Sequence, residues 1–229
     1  RGVYHTKGQN NSTRELTAYD KTAVGWGATA SSAWFDVIRN DFIAGTYVWT
    51  GFDYIGEPTP WNGTGTGSVT GGSPSPRSSY FGIVDTAGFP KDDYYLYQSL
   101  WNEDVHTLHV LPCWDEENIV LTNGEAEVVV YTDAASVELY LNNKKVAEAD
   151  STVVTTGAGY SYRMWQGKNN ASGLYPTFYI PYERGTLSVK AYDDNGELIT
   201  DTVGRSSVTT SSTPSRLELT DTYSYGDYS

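Results

Sequence analysis

Apolar positions change their spacing once along this chain, near residue 105, and the change separates two kinds of structure. Before it, Ala33, Trp34, Val37, Ile38 and Phe42 recur at helical spacing, with Ser31 and Ser32 as candidate N-caps and Gly45 as the stop. The run Thr46-Tyr47-Val48-Trp49-Thr50-Gly51-Phe52-Asp53-Tyr54-Ile55-Gly56 is β-branched and aromatic, which predicts a buried strand. A helix turning into a buried strand is the step of a parallel sheet. A long loop rich in Gly, Pro, Ser and Thr follows, from Glu57 to Arg77, and a loop of that length inside a domain is usually functional or mobile. A second helix is predicted over Lys91 to Trp101, with Asp92 and Asp93 where carboxylates favour the helix dipole. One strand and two helices cannot close a barrel, and their apolar faces need partners from elsewhere.

From residue 106 the pattern alternates with period two. Val128 to Tyr131, Val137 to Leu141 and Thr186 to Tyr192 are predicted strands, while Asn142-Asn143 and Asp193 to Gly196 are predicted hairpin turns. Short strands repeated over this stretch predict a β-sandwich of immunoglobulin type. Residues 204 to 215 are rich in Ser and Thr and contain Pro214, as a linker would be, and Arg216 to Thr220 is read as the first strand of a further β module.

Composition narrows the function. A net charge of −13 disfavours nucleic acid, which needs a basic footprint. No apolar run is long enough to insert in a membrane. Cys113 is the one cysteine, so an internal disulfide and cysteine-based metal sites are excluded. The chain opens on Arg1-Gly2-Val3-Tyr4 with no apolar leader and has a single Met, Met164, so a chain processed or cut from a longer one is expected. Few Cys and Lys beside many Tyr, Trp, Gly, Ser and Thr suit an exported protein that handles polar, ring-shaped ligands.

Candidate chemistry is sparse. His5, His106 and His109 form no metal-binding pattern, and no cofactor motif is present, so neither metal nor cofactor is called for. Asn10, Asn11, Asn62 and Asn170 fit glycosylation triplets that also arise by chance. The local carboxylate pair is Asp53 and Glu57. Along a strand these would lie ~13 Å apart, against ~5–5.5 Å for a retaining glycosidase pair and ~6.5–9.5 Å for an inverting one. They are therefore not read as the catalytic acid and nucleophile. Asp53 instead orients its neighbours, and Glu57 sits near the loop mouth.

The segment Tyr47 to Trp61 resembles the eighth-strand region of glycoside hydrolase family 2 β-galactosidases, large extracellular bacterial ones in particular. The likeness continues through Ser78 to Asp92 and Tyr94 to Trp101, with Ala18-Tyr19-Asp20 and Gly25-Trp26-Gly27 upstream, and covers roughly residues 1 to 203. It implies an α/β segment of a (β/α)₈ barrel over residues 1–104, comprising the seventh-helix region, eighth strand and eighth helix. It also implies an all-β immunoglobulin-like sandwich over 105–203, with 204–229 as linker and start of another module. The implied activity is retaining hydrolysis by two glutamates, both expected upstream of Arg1, so the chain is expected to be catalytically incomplete alone. Trp49 matches the family's strand-eight Trp, an apolar wall against the galactose ring; the alternative is that it is barrel core. Asp53, Glu57 and Trp61 would line the mouth. The implied partners are a terminal β-galactoside or related glycan and the upstream barrel portion of the same enzyme, in an extracellular or cell-surface setting. Two other readings stay open: an autonomous glycan-binding or adhesion module, and a family 2 enzyme for a β-glucuronide or β-mannoside.

Overall fold

The computed structural model describes residues 2–3, 16–21, 23, 26–56, 78–116 and 119–211. Glu57, Trp61, the long loop, the strand expected at 216–220, His5 and the triplets at Asn10, Asn11 and Asn62 lie outside these residues. The described part is mostly β, with few helices. The expected barrel segment does not appear as a β/α repeat within it. It holds a parallel pair, β1 (Gly2–Val3) with β2 (Leu16–Thr17), then helices α1 (Ala30–Ile38) and α2 (Asp92–Trp101).

α1 is shorter than its spacing predicts. Its N-cap is Thr29, whose side chain accepts from Ser32 N at 3.4 Å, while Ser31 lies buried within the first turn. The helix ends at Ile38 because the chain turns at Asn40, where Ile43 N donates to Asn40 O at 2.9 Å. Phe42, which the spacing placed on the apolar face, is therefore 86% exposed. α2 matches its expected span, with Lys91 as N-cap residue.

The run from Thr46 to Gly56 is not a strand of a larger sheet, and of its residues only Asp53 is buried. Among the described residues it is flanked only by residues 78–84, through isolated bridges Phe52↔Val84 and Ile55↔Ser78. A buried parallel strand needs neighbours on both edges and cover on both faces. Lacking those here, Tyr47, Trp49, Phe52 and Ile55 project into solvent.

The rest is a two-sheet sandwich built from β3 (His106–Leu111), β4 (Glu125–Thr132), β5 (Ser136–Leu141), β6 (Lys144–Thr155), β7 (Ser161–Trp165), β8 (Thr177–Pro181), β9 (Thr186–Tyr192), β10 (Thr202–Val203) and β11 (Ser207–Thr209). One sheet runs β10-β3-β4-β8 and the other β11-β9-β5-β6-β7. β11 falls where a linker was expected; residues 207–209 pair with 186–188 of β9 and so extend the sandwich beyond 203. Alternation sets the register: Val137, Leu139 and Leu141 pair with Ala191, Val189 and Leu187 and face the core. Asn142 and Asn143 both take positive φ, 52° and 65°, as a two-residue hairpin turn demands.

β4 is buried on both faces, and this positions the rest. Ala126, Val128 and Val130 point into the sandwich core with Trp114, Trp165 and Phe178. Val129 and Tyr131 point the other way, into a second core with Leu111, Met164 and Leu174 and with Phe35, Ile38 and Leu96 of the two helices. The helices thus find their missing partner on the outer face of a sandwich sheet. Leu96, Leu111 and Tyr131 are completely buried there.

Candidate functional site

Trp49 stands on the wall of an open groove of about 1190 Å³, with Tyr47, Asp53, Ser79, Lys91 and Tyr97 among its lining. Its indole is 74% exposed, and Nε1 donates to Tyr54 Oη at 3.4 Å. The peptide between Trp49 and Thr50 is cis. The backbone of the segment is held by residues 79–84: Asp53 N donates to Val84 O at 2.8 Å, Ile83 N to Thr50 O at 3.1 Å and Ser79 N to Tyr54 O at 2.9 Å. This approach needs Gly82, because a Cβ there would fall 2.2 Å from Asp53 N.

Asp53 is buried beneath that surface and its oxygens are engaged. Oδ1 accepts from Gly82 N at 2.8 Å and Ser79 Oγ at 3.0 Å, and Oδ2 forms an ion pair with Lys91 Nζ. Lys91 also donates to Tyr80 O at 3.1 Å. Asp53 and Trp49 are therefore brought together with different tasks: the indole faces the groove, and the carboxylate fixes the chain that carries it. Glu57 and Trp61 cannot be placed beside them, as both lie outside the described residues.

Two polar centres at the helix–sandwich junction were not singled out from the sequence. In the first, Asp92 Oδ1 lies 2.7 Å from His109 Nε2 and 3.4 Å from Arg205 Nη2. Burial lowers the pKa of His109, although Asp92 opposes this, so the ring is neutral and Nε2–H donates to the carboxylate. Its other face stacks on Tyr95, with ring centroids 3.9 Å apart. In the second, Asp20 Oδ2 accepts from Ser31 N at 3.2 Å and lies 3.5 Å from Tyr175 Oη. Burial raises the pKa of Asp20. Asp93, with Oδ1 buried and unpartnered, is pushed well above the carboxylate range by burial, then by the charges of Asp20 and Asp92. The same burial raises Tyr131 and Tyr175. The signals available in sequence were Ala18-Tyr19-Asp20, which carries part of the family resemblance, and Asp92-Asp93, which suit the helix dipole. Among the described residues no group of three or more His, Cys, Asp and Glu is placed to hold a metal ion.

Residues 123–200 match a family described as a domain of unknown function (DUF4982). Over 215 residues the chain is 37% identical to a β-galactosidase of Bacteroides ovatus, a match covering 92% of this chain and 20% of that protein. It is 31% identical over 219 residues to a candidate β-glucuronidase of Formosa agariphila, covering 95% of this chain and 18% of the other. Among solved structures, a β-glycosidase from Bacteroides vulgatus superposes with a TM-score of 0.60 at 25% identity, over 87% of this chain and 20% of that one. These matches relate the chain to glycoside hydrolase family 2. It spans about a fifth of the length of the relatives it matches.

Proposed function

We propose that the chain serves as part of a retaining glycoside hydrolase acting on terminal β-galactosides, supplying one wall of the sugar site and an accessory sandwich. In this reading residues 1–104 are the closing section of a (β/α)₈ barrel. The sandwich that follows is immunoglobulin-like, a reading supported by its sheet orders, β10-β3-β4-β8 and β11-β9-β5-β6-β7. The observation that carries the proposal is Trp49: a large aromatic, mostly exposed, whose supporting chain is fixed by a buried carboxylate. A flat apolar ring offered on a groove wall suits the C–H face of a sugar. Tyr47, Phe52 and Ile55 continue the exposed apolar surface, which the preceding barrel portion of the same enzyme would cover. Asp53, held by Lys91, Ser79 and Gly82, is not free to act as acid or nucleophile, so the catalytic pair comes from that portion. Glu57 and Trp61 are assigned to the groove mouth, and the setting is extracellular or at a bacterial cell surface.

The β-glucuronide reading calls for a cation to meet the sugar carboxylate. Lys91 lines the groove but is paired with Asp53, and Asp85 is a further acidic residue among the described lining. A wall of this charge favours a neutral sugar. In the complete enzyme Trp49→Ala lowers kcat/KM by about 1–3 kcal/mol, since an electron-rich indole face favours the oxocarbenium-like transition state over the resting sugar. Unchanged kcat/KM overturns the assignment of Trp49.

A further inference from the structure

We infer that the β-sandwich sets the position of Trp49, acting through Lys91, Asp92 and Asp93; that this matters to a sugar rests on the reading just given. Asp92 and Asp93, the first two residues of α2, are turned by about 100° from each other, and Lys91 precedes them as the extended N-cap residue, so the three face different directions. Here each direction meets a different part of the molecule. Lys91 faces the groove and holds Asp53 and the carbonyl of Tyr80. Asp92 faces the sandwich and accepts from His109 of β3 and from Arg205. Asp93 is buried toward Asp20, whose carboxylate takes the Ser31 N–H of the first turn of α1.

Arg205 is the anchor on the sandwich side. Its Nε and Nη2 donate to Val110 O at 3.1 and 2.9 Å, and its own carbonyl accepts from Val110 N at 2.9 Å. A guanidinium fixed to a strand from both backbone and side chain presents the second N–H of Nη2 to Asp92 with little freedom. The path from Arg205 to Asp92, Lys91 and Asp53 is therefore contiguous, and Asp53 lies four residues from Trp49. A second hold comes from the β6–β7 hairpin. Tyr160 packs edge-on against Trp34 of α1, with centroids 6.1 Å apart, and Trp34 packs on Trp101 of α2 at 5.4 Å. α1 is joined to the Trp49 segment by residues 39–45. Both helices that flank the segment are thus oriented by the sandwich, while the segment itself has no lateral strand among the described residues except 78–84.

Hydrogen exchange on this chain tests the coupling without needing turnover. Arg205→Ala is compared with Val189→Ala, a core substitution in the other sheet, at matched global stability set with urea. The amides of Asp53, Ile83 and Val84 exchange about tenfold faster in Arg205→Ala than in the control, with β5 and β9 alike in both. Arg205→Lys, which keeps the charge but not the fork, falls between. If Arg205→Ala does not fold, Asp92→Asn gives the same pattern in smaller degree. Equal exchange at those three amides in variant and control overturns the coupling. A coupled segment in an enzyme indifferent to Trp49→Ala instead tells against the sugar wall and leaves the coupling standing.

Discussion

Lys91, at the N-cap position of helix α2, forms an ion pair with Asp53, whose side chain is 6% exposed beneath the surface that carries Trp49. Lys91 keeps 32% of its side-chain surface, so the pair is buried on one side and open on the other. Removing one partner of a buried pair leaves the other charge uncompensated, at a cost of about 3–5 kcal/mol. Access of water to Lys91 places Asp53→Ala at the lower end, about 3 kcal/mol, seen locally as loss of amide protection over 50–54 and 79–84. Asp53→Asn, which still accepts from Gly82 N, loses less. Retention of full protection in Asp53→Ala contradicts the role given to the pair.

Leu96 is completely buried between α2 and the sandwich sheet, in the core shared with Leu111 and Tyr131. Leu96→Ala is expected to cost about 2–5 kcal/mol. If the helices and sandwich form one cooperative unit, the urea midpoint falls and a single transition remains. Two separate transitions in the parent chain would show instead that the sandwich folds without the helices.

Asp93 gives the junction a pH dependence of definite sign. Burial keeps its carboxyl protonated above the ordinary 3.8, whereas in the unfolded chain it ionises there. As pH rises from that value through the folded pKa, the unfolded state binds fewer protons and stability is lost. Asp20 acts in the same direction. His109 acts in the opposite one: burial lowers its pKa, so its contribution is present above 6.5 and is lost as pH falls through the lowered value. Asp93→Asn is therefore expected to make the melting temperature fall less steeply as pH rises above 3.8. It raises the melting temperature most at the alkaline end. An unchanged slope means that Asp93 ionises normally in the fold.

Much of the sandwich was legible in the sequence, because one-sided burial writes alternation directly into Val137 to Leu141 and Thr186 to Tyr192. The Asn142-Asn143 turn was legible because few residues accept two successive positive φ angles. The limits have physical causes as well. Phe42 fits a helical period that the turn at Asn40 interrupts. Thr46 to Gly56 carries the composition of a buried strand, but burial depends on neighbours that a local pattern does not contain. The junction was hidden for a similar reason. Asp92 and Asp93 look like solvated first-turn charges, and only the fold of residues 106–111 and 205 brings His109 and Arg205 to them. Of the candidate site, the exposure of Trp49 and the structural engagement of Asp53 follow from the 78–84 segment, 25 or more residues away in sequence.

The most direct measurement compares hydrolysis of an aryl β-galactoside and an aryl β-glucuronide by this chain alone and by the complete enzyme that contains it. The proposed function predicts no turnover above buffer background by the chain alone, and in the complete enzyme a clear preference for the galactoside. Turnover by the purified chain that disappears in Asp53→Asn, or a complete enzyme that prefers the glucuronide, would contradict it.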